Sequence, residues 1–102
     1  MPSSKEYFDF ISEQLSETEG ISYRKMMGEY IIYYMGKVVG GIYDDRFLVK
    51  ITKSSRAMMP DACEELPYEG AKPMLQVENA EDKVFLRELF RKMYPELSER
   101  KK

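Results

Sequence analysis

The chain of 102 residues has no histidine and no tryptophan, and Cys63 is its only cysteine. Without histidine there is no general base that titrates near neutral pH, no Ser-His or Cys-His nucleophile pair, and none of the commonest zinc ligand. A single cysteine excludes an internal disulfide. No apolar run approaches the ~20 residues that span a bilayer. The opening Met-Pro-Ser-Ser-Lys-Glu-Tyr lacks the apolar core of a signal peptide. These absences lead to the expectation of a cytoplasmic, non-catalytic protein with no cofactor, no metal and no membrane contact.

What is present suits one globular domain over 1–102, with an ordered core over about 4–95 and a basic tail over 96–102. The chain is 43% hydrophobic and 33% charged, ordinary for a soluble fold that can bury a core. Its net charge of −2 argues against tight, nonspecific binding to nucleic acid, which is expected to be met only indirectly. The charge is nevertheless blocked along the chain. Residues 1–19 and 61–82 are acidic, whereas 20–60 and 83–102 are basic. Such blocks can pair within the fold or between subunits.

Periodicity predicts a first helix over about Lys5–Ser16. Ser3 and Glu6 form a capping-box pattern there, and Tyr7, Phe8, Ile11 and Leu15 share one stripe. Gly20 ends it. Strands are then expected over Tyr23–Met27, Glu29–Met35, Val38–Tyr43 and Arg46–Ile51. Gly28 would break or bulge the first strand, and Gly36-Lys37 and Asp44-Asp45 would form turns. The second strand is apolar or aromatic on both faces, through Tyr30, Ile32 and Tyr34 on one and Ile31, Tyr33 and Met35 on the other. A half-exposed strand alternates apolar with polar residues, so both faces should be covered. A homodimer through the sheet face is one way to cover the second.

Lys53–Met59 reads as a short helical turn and Asp61–Gly70 as an ordered acidic loop. Met74–Val77 reads as a fifth strand. A last helix over about Ala80–Met93 would be capped by Asn79, with an apolar stripe of Val84, Phe85, Leu89, Phe90 and Met93, and Pro95 would stop it. The result is an α+β domain: a helix, an antiparallel meander of about five strands, and a C-terminal helix.

Three pieces of this sequence, in their order and spacing, resemble the N-terminal domain of the TfoX (Sxy) family of bacterial competence regulators. Arg24-Lys25-Met26-Met27-Gly28 leads into the meander with its Gly36 turn. Tyr43-Asp44-Asp45-Arg46-Phe47-Leu48-Val49-Lys50 follows, and then Leu66-Pro67-Tyr68. The resemblance covers about Lys5–Tyr94. It implies an α+β fold similar to the secretion-chaperone-like arrangement. It also implies a regulatory role, since two-domain members act as positive regulators of competence genes with the cyclic-AMP receptor protein. The chain is expected to act without the helix-hairpin-helix-like second domain of those members. The resemblance brings no catalytic residues.

The expected role is therefore a transcription- or competence-linked interaction domain acting through a protein partner, such as a transcription regulator. The alternatives are a small-molecule or anion-binding domain and a weak direct DNA binder. Arg24, Lys25, Lys50, Lys53 and Arg56 form the candidate basic cluster. Lys53-Ser54-Ser55-Arg56 would present backbone N–H groups, hydroxyls and cations to an anion. The competing reading is solvated surface charge, with Arg24 paired to Asp44 or Asp45. Tyr30, Tyr33, Tyr34 and Tyr43 are interface candidates, because tyrosine buries area while keeping a polar tip. Cys63 lies among Asp61, Glu64 and Glu65, which disfavour its thiolate. Glu29, Asp44 and Asp45 lack metal-loop spacing and suit a turn.

Overall fold

A computed structural model describes residues 5–26, 29–78 and 80–97. Helix α1 (Lys5–Gln14) buries Ile11, and Leu15 just past its end is almost fully enclosed. It stops short of Ser16 because the chain tightens at Leu15: the Thr18 N–H donates to the Leu15 carbonyl at 3.0 Å. Gly20 then turns the chain with φ of 82°, a value that favours glycine. Ser3 and its expected capping box lie outside the described residues.

Four antiparallel strands follow: β1 (Ile21–Met26), β2 (Glu29–Tyr34), β3 (Lys37–Tyr43) and β4 (Arg46–Val49). Two-residue turns link the last three. Met35 and Gly36 have φ of 53° and 85°, and Asp44 and Asp45 have φ of 53° and 57°. Paired positive φ values match the twist of the flanking strands. The β2–β3 turn is thus centred on Met35-Gly36, one residue before the expected Gly36-Lys37. Gly28 lies outside the described residues. The bulge that is visible falls elsewhere: Ile32 faces Gly40 and Tyr33 faces Val38, leaving Val39 as the extra residue. A Cβ on Gly40 would stand 2.2 Å from the Leu48 carbonyl oxygen, so β3 and β4 meet at a point only glycine permits.

Helix α2 (Lys53–Met58) precedes β5 (Glu64–Glu65), β6 (Met74–Gln76) and α3 (Lys83–Met93). The sheet has six strands in the order β1-β2-β3-β4-β6-β5, not a meander of five. Strand β6 returns antiparallel beside β4, and β5 pairs outside it. With two residues, β5 carries no readable alternation, so its segment looked like loop.

Asp82 caps α3, its carboxylate accepting the Phe85 N–H at 3.0 Å. The helix therefore begins three residues later than expected, and Asn79 lies outside the described residues. Its buried stripe is Leu86, Leu89, Phe90 and Met93. Val84 is 58% exposed, because at ~100° per residue it falls opposite Leu86. A 3₁₀ turn over Tyr94–Glu96 carries Pro95 and folds the chain back, so Leu97 joins the core. Order thus passes the expected start of the tail at 96; residues 98–102 lie outside the described residues.

All the helices serve one face of the sheet. Phe8 stacks on Tyr30 at 4.2 Å, and Phe90 meets Tyr34 and Phe47 edge-on at 5.7 and 6.4 Å. Among the described residues no helix is long and apolar enough to cross a membrane.

Met35 is 49% exposed and holds a left-handed conformation that costs an L residue roughly 1 kcal/mol. Met35→Asn should raise stability by about 0.5–1 kcal/mol, read as a higher midpoint in urea with an unchanged slope.

Candidate functional site

The strand register sends a second set of side chains to the opposite face. Arg24, Ile31, Gly41 and Leu48 lie in one row across β1 to β4, with Tyr33, Val38 and Tyr43 on the same face. Here the sequence expectation holds only in part. Tyr43, Leu48 and Met74 form a small second cluster, closed over by the segment after β5. Ile31 and Tyr33 are half-buried, and among the described residues no helix covers them.

That segment is clamped by Arg46. Its guanidinium donates to Glu65 Oε1 at 3.2 Å, to the Leu66 carbonyl at 3.1 Å and to the Tyr43 carbonyl at 3.2 Å. The planar fork suits three acceptors held at once. It fixes the stretch that presents Leu66 and Tyr68. Pro67 between them is buried, and Tyr68 is 65% exposed, its ring 6.4 Å from that of Tyr43.

Two grooves flank Tyr68. The larger, about 580 Å³, lies between Val38, Tyr43 and Met74 on one side and Pro67, Tyr68 and Pro73 on the other, with Lys50 and Lys72 at its wall. The smaller, about 440 Å³, runs past Met26, Glu29 and Ile31. Both fall in the range of small-ligand or peptide-anchor sites. Burial raises the pKa of Tyr43, with Tyr68, Glu29 and Tyr33 adding to the effect. Its hydroxyl stays protonated at neutral pH and can donate.

The structure divides the tyrosine candidates. Tyr30 and Tyr34 are core residues on the helix face, buried against Phe8 and Phe90. Their place in the interface set is corrected by strand parity. Tyr33 and Tyr43 lie on the open face. Tyr68, the most exposed large side chain there, belongs to the Leu66-Pro67-Tyr68 motif and stands outside the set of four interface tyrosines. An aromatic after a proline in an acidic loop was the available signal.

The basic candidates do not form one cluster. Arg24 and Lys25 are on β1, on opposite faces, three strands from β4 and so ~14 Å across the sheet from Lys50. Lys50 reaches the groove. Arg56 pairs with Glu64, and Lys53 is exposed at the start of α2. The expected anion cradle is already filled from within the chain. The Ser54 N–H and hydroxyl donate to the Glu96 carboxylate at 2.9 and 2.8 Å. Thr52 and Ser55 cap each other, and the buried Ser55 hydroxyl donates to the Lys50 carbonyl at 2.9 Å. The backbone and hydroxyl of Ser54, with Thr52 and the nearby Lys53 charge, hold Glu96 below the ordinary carboxylate value. Among the described residues no group of three or more Cys, Asp and Glu could hold a metal ion.

Residues 13–94 match the family of the TfoX N-terminal domain, which is most of the chain. The chain belongs to the TfoX N-terminal domain family. It is also similar to an uncharacterized 12.7 kDa protein in the trpE 5′ region of Spirochaeta aurantia. The two are 33% identical over 72 residues, 71% of this chain and 63% of that protein's length. No solved structure matches it. The family match begins within α1 and ends at the 3₁₀ turn, so it takes in the whole sheet, the Arg46 clamp and both grooves of this TfoX N-terminal domain.

Two outcomes follow. Arg46→Ala should release the 64–68 segment, with amide protection there falling by about 2 kcal/mol while α3 keeps its protection. Glu96→Gln should lower the melting temperature at neutral pH. A depressed carboxylate stabilises above its unfolded pKa, and that stability is lost as pH falls through the folded pKa. The gap between wild type and variant should therefore close in acid.

Proposed function

We propose that this TfoX N-terminal domain is a non-catalytic, transcription-linked regulatory module that docks a protein partner on the open sheet face. The observation that carries this reading is the one-sidedness of the sheet. The helices and the aromatic core take one face, while the other presents Tyr68, Leu66, Ile51 and Met26 exposed, with Lys50 and Lys72 beside them. Apolar groups rimmed by cations suit a partner surface that is apolar and acidic, since charge speeds encounter and apolar area holds the complex. Family membership supports the regulatory setting, and nucleic acid would be met through the partner.

Tyr68 is the natural anchor, being large, exposed and held at its base by the buried Pro67. Tyr68→Ala and Lys50→Glu should each weaken capture of a transcription regulator or polymerase subunit from nuclease-treated lysate at least tenfold, with melting temperatures little changed. Lys53→Glu, on the α2 side, should leave capture intact. Equal capture by all three variants would remove the open face from the mechanism. A second reading draws on the size and lysines of the larger groove, which also suit a small anionic ligand with an apolar body. In that case such a ligand, and no protein, would raise the melting temperature of the domain, and Lys50→Glu would abolish the rise.

A further inference from the structure

Strand β1 ends the sheet, and among the described residues no strand lies beyond it. In an antiparallel ladder, alternate residues turn both backbone groups toward the partner strand and the others turn them away. The phase is set at the start of β1, where the Gly20 carbonyl accepts the Met35 N–H at 2.8 Å, one step before Ile21 faces Tyr34. Ser22, Arg24 and Met26 therefore bond to β2. Ile21, Tyr23 and Lys25 point their N–H and carbonyl groups outward. Ser22, Arg24, Lys25 and Met26 are all exposed, and β1 contains no proline. A six-residue edge that pairs with no further strand among the described residues is a template for strand addition.

We propose that β1 is a self-pairing edge: two copies of this chain join β1 to β1, antiparallel about a two-fold axis at Tyr23, into one sheet of twelve strands. The side chains decide the register. Residues facing each other across an antiparallel pair lie on the same face, so a two-fold axis must pass through a residue. Centred on Arg24 it opposes two guanidinium groups, and centred on Lys25 two ammonium groups, both unfavourable. Centred on Ser22 it needs Glu19 to continue the strand, but Gly20 turns the chain away there. Centred on Tyr23, it sets Arg24 opposite Ser22 and Lys25 opposite Ile21. No like charges face each other, and Ile21, Tyr23 and Lys25 supply about six new backbone hydrogen bonds. On the helix side each Tyr23 ring is already seated against Phe8, 5.0 Å away, and the two would meet across the axis. Arg24 and Lys25 guard the edge against the other registers. The open faces of both copies come to lie side by side on one surface, which suits a two-fold partner. The dimer itself does not depend on the docking reading.

The test is sedimentation equilibrium of the full chain at micromolar concentrations. Wild type should show a reversible monomer–dimer equilibrium that tightens with added salt, because the interface gathers four cations. Lys25→Pro deletes only an outward donor, since the Lys25 N–H does not serve β2. It should weaken the dimer at least tenfold with an unchanged circular dichroism spectrum. In a Cys63→Ser background, Tyr23→Cys should form an intermolecular disulfide on mild oxidation, because a hydrogen-bonded pair holds the two Cα atoms ~5.5 Å apart. A monomer at all concentrations would overturn the proposal. So would a dimer that Lys25→Pro leaves intact and Tyr23→Cys does not cross-link.

Discussion

The packing of α3 onto one face of the sheet carries the rest of the architecture. Phe90 meets both Tyr34 and Phe47, and Leu86, Leu89 and Met93 fill the space around it with no exposure at all. Each such side chain is worth roughly 1.5–3 kcal/mol when buried, so this contact fixes which face of every strand points inward. Strand parity does the rest. Once Tyr34 and Phe47 face α3, Tyr33 and Leu48 must face the other way. The open face follows from the closed one.

The covered side is tied together by polar links as well. Glu96 reaches the start of α2 through Ser54, and Asp82 caps α3. The Lys37 ammonium sits 4.4 Å from the centre of the Tyr94 ring, joining β3 to the 3₁₀ turn. On the open side the main fastening is the Arg46 fork. The TfoX N-terminal domain thus has a firmly built side and a more lightly held one, and the lightly held side bears its grooves.

Much of this was legible in the sequence. The stripe of Tyr7, Phe8, Ile11 and Leu15, the positions of the first four strands and the existence of α3 follow directly from periodicity. The double-sided apolar pattern of β2 led to the expectation that both its faces are covered, but the helices bury one and leave Ile31 and Tyr33 half-buried on the other. What escaped has physical causes. Strand β5 has two residues, too few for a period. The bulge at Val39 leaves no mark, since Val-Val-Gly-Gly reads as uninterrupted strand. Asp82 and Asn79 are both good caps, and only packing decides between them. The basic residues looked clustered because all of them fall within the basic block 20–60, whereas the sheet sets Arg24 and Lys50 three strands apart. Tyr68 gained its place from the Arg46 clamp, a contact spanning twenty residues.

The proposed meeting place of this domain with its partner is the helix-free face of the sheet, and hydroxyl-radical footprinting of the free and partner-bound domain probes it residue by residue. In the free domain Tyr68, Leu66 and Met26 should be oxidised while Tyr30 and Tyr34 resist. In the complex, protection should concentrate on Tyr68 and its neighbours. Protection falling instead on the exposed side of α3, around Val84, with Tyr68 oxidised as before, would place the partner elsewhere than on the helix-free face.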